Sequence, residues 1–415
     1  MRYLPALAPR RFTLDDLEDA LYTAARAVVG DAQLSTSALV EAIRDRSARY
    51  TSDRAKLAKP ALPKADLAAR AVFFTITDAP KIAIPIAELA SRAALPAARP
   101  LRVVDLGAGC GAMSLGLITA LTKVTSNDAL AKGNDTLAIE ITAIDRDRDA
   151  LAIATKAIGA LTSPTSTNAI AVELTTRVDD ATTAAIPTCD LVLIGTMLNE
   201  LATDAARLAL VERALAAITD DGAVIILEPA LRDTTRGLHV LRDAILARGS
   251  AHVFAPCTRQ SAPCPALADP TDWCHEHHAL GRAPTLPPKT HELARLTHLR
   301  DDGLKLSYLV LRKQARTLSA DPGAWRIVGT PWQQKGKLEV LACGNAGRVT
   351  LRLLKRHRAA SNRSLERATK GYVVRVDAIA ATAADVERGV HATEARIEIT
   401  DDTRVELVFP REDDP

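Results

Sequence analysis

The sequence lacks most of the features that would classify it at a glance. Six cysteines in 415 residues are too few for a disulfide scaffold of this size. Lysine plus arginine (53) nearly balances aspartate plus glutamate (50), so a case for nucleic acid has to come from local clustering. No apolar run approaches the length of a membrane span, and the first residues show neither an apolar signal core nor a cleavage-site pattern. A soluble, intracellular protein, cytoplasmic and without membrane partners, is therefore expected. Internal repeats and low-complexity tracts are also missing, apart from a general richness in alanine. What is present is 47% apolar residues, enough for a full core, on a chain long enough for two or three domains.

Three stretches of pattern divide the chain. Thr13 with Asp16 three residues on reads as a helix N-cap, and Leu14, Leu17, Leu21 and Val28 follow at helical spacing until Gly30. Leu39, Val40 and Ile43 mark a second helix, and Ala65 to Ala94 a third helical region interrupted by Pro80 and Pro85. Residues 1–98 are thus expected to form a helical N-terminal region. From Leu101 the pattern becomes short apolar runs between helical stretches (LRVVDL, AIEITAID, NAIAVEL, DLVLIG, AVIILEP), the signature of a parallel sheet covered by helices. Two further runs, AHVFAP and LKLSYLVLRK, finish an α/β domain over residues 99–315. Between them, residues 257 to about 300 are rich in Pro, His and Cys and look too irregular for a strand or a long helix. Residues 316–415 hold strand-like runs (RIVGTP, KLEVLAC, GRVTLRLLK, GYVVRV, ARIEIT) and predict a small, mostly β domain, with Asp413 and Asp414 in a solvated tail.

In VVDLGAGCGAMSLGL a buried strand ends at Asp105, and Gly107, Gly109 and Gly111 let the backbone turn tightly before a helix begins near Ala112. The free amides of that helix then point at a ligand. The string also fits G-x-G-x-x-A through Gly107, Gly109 and Ala112, so a dinucleotide such as NAD is a rival that the glycines alone do not remove. Asp105 two residues before the first glycine, and the Gly-x-Gly-x-Gly form, resemble the first motif of class I S-adenosylmethionine-dependent methyltransferases. That resemblance implies a Rossmann-like fold, with Asp105 holding the methionine amino end through the loop. Asp145, ending the second strand, stands where a carboxylate accepts ribose hydroxyls from either cofactor. Asp179 or Asp180, after the third strand, is placed to meet the adenine edge. Cys110 and Cys189 read as packing residues, with no basic neighbour to activate them.

Cys257, Cys264 and Cys274 are separated by six and nine residues, gaps too long for a C-x-x-C zinc knuckle. Thiolates still converge on a cluster when the chain loops around it, and Cys343 supplies a fourth if the C-terminal domain packs against this segment. APCP, DWCHEHH, the strand LSYLVLRK and LACGNAGRV resemble the methyltransferase-like small-ribosomal-subunit assembly proteins of mitochondria, a family with bacterial members. The resemblance spans about residues 70 to 375. It implies a [4Fe-4S] cluster on Cys257, Cys264, Cys274 and Cys343, with zinc as the alternative metal. This chain departs from the family at His275-Glu276-His277, where an aromatic usually follows the histidine.

Residues 346–375 carry Arg348, Arg352, Lys355, Arg356, Arg358, Arg363, Arg367, Lys370 and Arg375 against Glu366 alone. On strands joined by turns such a set can track a phosphate backbone, with Tyr372 as a stacking surface. Arg348, Arg352, Lys355, Arg356 and Arg358 are the candidate RNA contacts. The residues after the fourth strand, Gly195 to Asn199, are not the Asp/Asn-Pro-Pro-aromatic tetrad of adenine amino-methylating enzymes, and no thiol follows strand four or five. No catalytic residue is named. The reading that results is a cofactor-binding, methyltransferase-like factor that acts on or assembles the small ribosomal subunit through its rRNA. An active rRNA methyltransferase is the alternative, and a NAD-dependent oxidoreductase a distant third.

Overall fold

The structure, a computed structural model, describes residues 12–52, 63–126, 137–163, 170–279, 285–300, 303–377 and 396–409. Asp413 and Asp414 lie outside them. The chain forms two compact units, one from residues 1–200, 216–227 and 279–304, the other from 201–215, 228–278 and 305–415.

The first unit opens with α1 (Leu14–Val29), capped reciprocally: the Asp16 N–H donates to Thr13 Oγ1 at 3.2 Å, and the Thr13 N–H donates to Asp16 Oδ2 at 2.9 Å. Leu17 and Leu21 on its inner face are buried, as are Leu39 and Ile43 of α2 (Thr36–Ser52). The third helical region breaks up into α3 (Pro63–Ala69), a π-helical turn (Arg70–Phe74), α4 (Thr75–Asp78), a 3-10 turn (Ala79–Ile82) that holds Pro80, and α5 (Ala83–Ser91), which takes in Pro85. Pro80 and Pro85 each fall in a first turn, where the missing N–H is not needed.

Alternation then sets in: β1 (Leu101–Leu106), α6 (Ala112–Ser126), β2 (Leu137–Asp145), α7 (Arg148–Leu161), β3 (Ile170–Val178), β4 (Cys189–Gly195), α8 (Asp204–Ala217) and β5 (Ile218–Glu228). The strands lie in the order β3-β2-β1-β4-β5, all parallel. β1 and β4 are almost wholly buried, as strands covered on both faces must be. Asp105 sits opposite Ala143 on one side and Leu193 on the other. Chain order reverses between β1 and β4, and a crevice at such a reversal, beyond the carboxyl ends of the strands, is where Rossmann-like sheets take their ligands. The expected α/β, Rossmann-like domain is what the chain builds, with a separate mostly β C-terminal region.

In the second unit α9 (Arg232–Arg248) ends on Gly249, and β6 (His252–Ala255), β7 (Glu276–Ala279) and β8 (Gly303–Arg312) follow; α10 (Pro288–Thr297), between β7 and β8 in the chain, belongs to the first unit. β6 runs antiparallel to β8, and β7 also pairs with β8. The C-terminal strands are β9 (Ala324–Ile327), β10 (Trp332–Gln334), β11 (Lys337–Gly344), β12 (Gly347–Leu354), β13 (Val373–Val376), β14 (Arg396–Ile399) and β15 (Val405–Phe409), with α11 (Ser364–Arg367) between β12 and β13. Their sheet order is β14-β12-β11-β9-β13-β15, with β10 on β11. Trp325, Val340, Leu351 and Val374 are among its core. The expectation that 257–300 is too irregular for a strand or a long helix is corrected by the strand β7, while α10 is a helix of ten residues. Pro287 is the N-cap of α10 and Pro288 its first residue, a position at which proline starts helices.

Candidate functional site

Beyond β1 the three loop glycines adopt φ of 69°, 52° and 87° at Gly107, Gly109 and Gly111, a region that residues with a Cβ enter only under strain. The Gly109 N–H donates to Asp145 Oδ2 at 2.8 Å, and the Asp147 N–H to Asp145 Oδ1 at 2.8 Å. Asp145 therefore orders the loop, and each of its oxygens keeps a second lone pair for a ribose hydroxyl. Asp105 is fully buried. Its Oδ2 accepts the Ser114 N–H at 3.2 Å and the Ser114 hydroxyl at 2.6 Å, tying the strand end to α6. Its Oδ1 has no hydrogen-bond partner among the described residues. Burial pushes the Asp105 carboxyl up to about 6, against the pull of the Ser114 hydrogen bonds and with some help from the Asp145 charge. The Asp179 N–H donates to the Asp145 carbonyl at 3.1 Å, which sets Asp179 beside Asp145 at the strand ends. The Asp179 carboxylate holds Arg177 at 3.1 Å, while Asp180 closes its own turn through Thr182.

Two residues at this loop went unread in the sequence. Asp147 is the N-cap of α7, and Arg70, from the π-helical turn, donates through Nη1 to Asp147 Oδ2 at 2.5 Å. A Cβ on Gly109 would stand 3.3 Å from Arg70 Nη2. The N-cap pattern after Asp145 could have flagged Asp147, whereas nothing local marks an arginine so far upstream. After β4, Thr196 takes φ 53° and Asn199 Nδ2 donates to its carbonyl at 2.9 Å. A Cβ on Gly107 would meet Met197 Sδ at 2.8 Å, so that glycine is also required by the packing of the post-β4 turn. Burial pushes the Cys110 thiol up to about 11, which leaves it protonated at neutral pH and unsuited to nucleophilic attack.

In the second unit all four candidate ligands, Cys257, Cys264, Cys274 and Cys343, line one cavity with His239, Arg326 and Arg348. The irregular segment around them is held from one face of α9. Arg236 Nη1 donates to the carbonyls of Ala266 (3.0 Å), Asp269 (2.6 Å) and Asp272 (2.7 Å). His239 Nε2 accepts the Cys274 N–H at 3.1 Å, Arg242 Nη2 donates to the Arg259 carbonyl at 2.7 Å, and Asp243 Oδ2 accepts the Cys264 N–H at 2.7 Å. Burial first, and then the neighbouring Cys257, push Cys264 up to about 11 and Cys343 up to about 12. All six cysteines are free thiols. Four thiols around one cavity are the donor chemistry of an iron-sulfur or zinc site. Among the described residues, however, no three His, Cys, Asp or Glu side chains stand grouped to hold a metal ion.

The basic stretch is less free than its composition suggests. Arg348 is buried and paired with Asp272, so it is a cavity residue and not a surface RNA contact. Arg352 is held by Glu339 (2.8 Å) and Glu398 (3.4 Å), Arg358 by Glu366 (3.0 Å) and Arg375 by Asp377 (2.8 Å). Lys355, Arg356, Arg363 and Arg367 are exposed and carry no ion pair among the described residues. Tyr372 is buried in the sheet core and offers no stacking face. Trp332 is 58% exposed instead, with Lys337 Nζ 5.4 Å from its ring centroid. The Lys355 N–H donates to the Gly336 carbonyl at 2.8 Å, which joins the Lys355 turn to the turn between β10 and β11.

Residues 82–372 match the family described as Mitochondrial small ribosomal subunit Rsm22, over more than half of the chain. The chain belongs to the Rsm22 family. The Rsm22 match takes in the glycine loop, Asp145, all four cavity cysteines and the basic stretch as far as Tyr372, and leaves Arg70 outside. No curated protein matches the chain. Among solved structures it is similar to a class I S-adenosylmethionine-dependent methyltransferase of Listeria monocytogenes (11% identity, 74% of this chain and 94% of that one, TM-score 0.37). It is also similar to an S-adenosylmethionine-dependent methyltransferase of Leishmania major (15% identity, 67% and 82%, TM-score 0.32). Against another from Clostridium acetobutylicum (12% identity, 35% of this chain, TM-score 0.26) the chain spans about half of the relative's length, 48%. No helix among the described residues is long and apolar enough to cross a membrane.

Proposed function

We propose that this chain is a small-ribosomal-subunit factor that binds S-adenosylmethionine at the glycine loop and engages rRNA through its C-terminal sheet. The observation that carries the reading is the loop itself: in an Rsm22-family chain, Asp145 has already folded Gly109 into a cradle at the sheet's reversal point. Asp145 is the ribose ligand, Asp105 stiffens the strand end, and Asp179 is the group nearest the adenine edge. Lys355, Arg356, Arg363 and Arg367 meet phosphates, and Trp332 is the stacking surface. Cys257, Cys264, Cys274 and Cys343 hold a [4Fe-4S] cluster, supported by the four-thiol donor set of one cavity. When bound, that group would tie the 257–274 segment to β11.

Methyl transfer to rRNA is the second reading. An intact cofactor loop favours it, since a factor that only binds has no need of one. The experiment is calorimetry with S-adenosylhomocysteine and NAD, together with co-sedimentation on small ribosomal subunits. Binding of S-adenosylhomocysteine and passage with the subunit are expected. Preference for NAD, or absence from the subunit fraction, overturns the corresponding half of the reading. Anaerobic preparations should hold about four iron per chain, as a cubane requires; one zinc and no iron would replace the cluster assignment.

A further inference from the structure

We infer that Arg70 anchors the amino-acid carboxylate of the cofactor, with Asp147 presenting its guanidinium to the glycine loop; this rests on the loop's taking S-adenosylmethionine. The charges at the loop pose the problem. Asp105, Asp145, Asp147 and Asp179 gather at the strand ends, a set suited to ribose hydroxyls and an ammonium group but hostile to a carboxylate. The cofactor brings a carboxylate on its methionine end. The amino end of α6 offers some positive potential, worth less than a full charge. A cation is needed close to the loop, and Arg70 is the guanidinium that reaches it.

Its geometry suits the task. Arg70 opens the π-helical turn of residues 70–74, a widened helical turn of a kind that concentrates at functional sites. Nη1 is engaged by Asp147 at 2.5 Å. Nη2 lies 3.3 Å from the place a Cβ would take on Gly109 and has no hydrogen bond among the described residues. Asp147 is itself fixed as the N-cap of α7, its Oδ1 accepting the Ala150 N–H at 3.0 Å. One edge of the planar guanidinium is thus clamped and the other is left for an incoming anion, which an arginine binds through two parallel N–H groups. The side chain is 22% exposed, so the pair formed with the cofactor is largely shielded from water. Gly109 then has a second reason to be glycine, because any side chain there presses on Arg70.

Calorimetry on the full chain tests this with two ligands: S-adenosylhomocysteine, and 5′-methylthioadenosine, which keeps the adenosine and thioether but lacks the amino-acid end. Arg70→Met should weaken S-adenosylhomocysteine by about 10- to 100-fold, the worth of a charge-assisted hydrogen bond, and 5′-methylthioadenosine by less than about threefold. Arg70→Lys keeps the charge and loses the fork, so it should fall between wild type and Arg70→Met for S-adenosylhomocysteine alone. If Arg70→Met does not fold, Arg70→Lys carries the same comparison. Equal losses for both ligands in a folded variant would overturn the role of Arg70 and leave the cofactor reading standing. Wild-type protein that binds neither ligand, or that prefers NAD, would overturn the cofactor reading first.

Discussion

Asp105 is a carboxyl group that folding makes harder to ionise. Its folded value of about 6 lies above the ordinary aspartate value of about 3.9, so between those limits the folded chain holds a proton that the unfolded chain has released. The sign follows: this group's contribution is fully present below about pH 4 and is lost as pH rises through about 6, a fall of roughly 2 to 3 kcal/mol. Asp105→Asn removes the titration. Urea unfolding from about pH 4 to about pH 7 should show the wild type losing stability relative to the variant across that window; parallel curves would show that Asp105 titrates normally. Asp105, the three glycines and Asp145 were legible in the sequence because each stands at a fixed offset from a strand end. Arg70 was not, since its place at the loop depends on how a helix 35 residues away packs. Arg348 and Tyr372 were misread for the same reason: composition shows charge or ring type, and only the packed sheet shows that both are buried.

The longer the element, the more the sequence disclosed. β1, β4 and β5 follow from the sequence because a parallel strand covered on both faces has to be an apolar run, whereas β3, at the sheet edge, is largely exposed. β10, of three residues, carries too little pattern to be seen. The segment rich in Cys and Pro, irregular in pattern, is held by the Arg236, His239 and Arg242 face of α9. The basic stretch shows the limit of reading one element alone. Glu339 and Glu398 reach Arg352 from β11 and β14, the strands on either side of β12 in the sheet, and β14 is remote from β12 in sequence. Besides Lys370, which meets His275 at 3.2 Å, four exposed cations carry no ion pair among the described residues: Lys355, Arg356, Arg363 and Arg367. If all four meet phosphates, RNA affinity should fall with salt on a log-log slope of about −3 to −3.5. Changing the four together to Gln should flatten the slope and release the protein from small subunits, whereas Arg352→Gln should leave the slope unchanged. A slope that survives the fourfold change would place RNA binding elsewhere.

Neither compact unit is a continuous stretch of chain, and the second draws on three separate segments. Within it the cavity takes Cys257, Cys264 and Cys274 from one segment and Cys343 and Arg348 from another, and Glu276 is paired with Arg326 across the same division at 2.8 Å. A chain ending at residue 315 therefore keeps three thiols and the apolar lining while losing the wall that covers them. Its thermal midpoint should lie at least about 5 °C below that of the full chain, equivalent to a loss of some 2 kcal/mol at this size, with more binding of a hydrophobic dye. An unchanged midpoint would make the C-terminal sheet an independent appendage.

The late position of Cys343 also matters while the protein is being made. At about 5 to 20 residues per second, roughly 3 to 14 s separate synthesis of Cys274 from that of Cys343. For that interval the nascent chain presents three thiols with no closed cavity around them. Oxidants and stray metal ions meet them more readily in that window than in the finished fold, so the yield of intact protein depends on the thiol redox state of the compartment where it is translated.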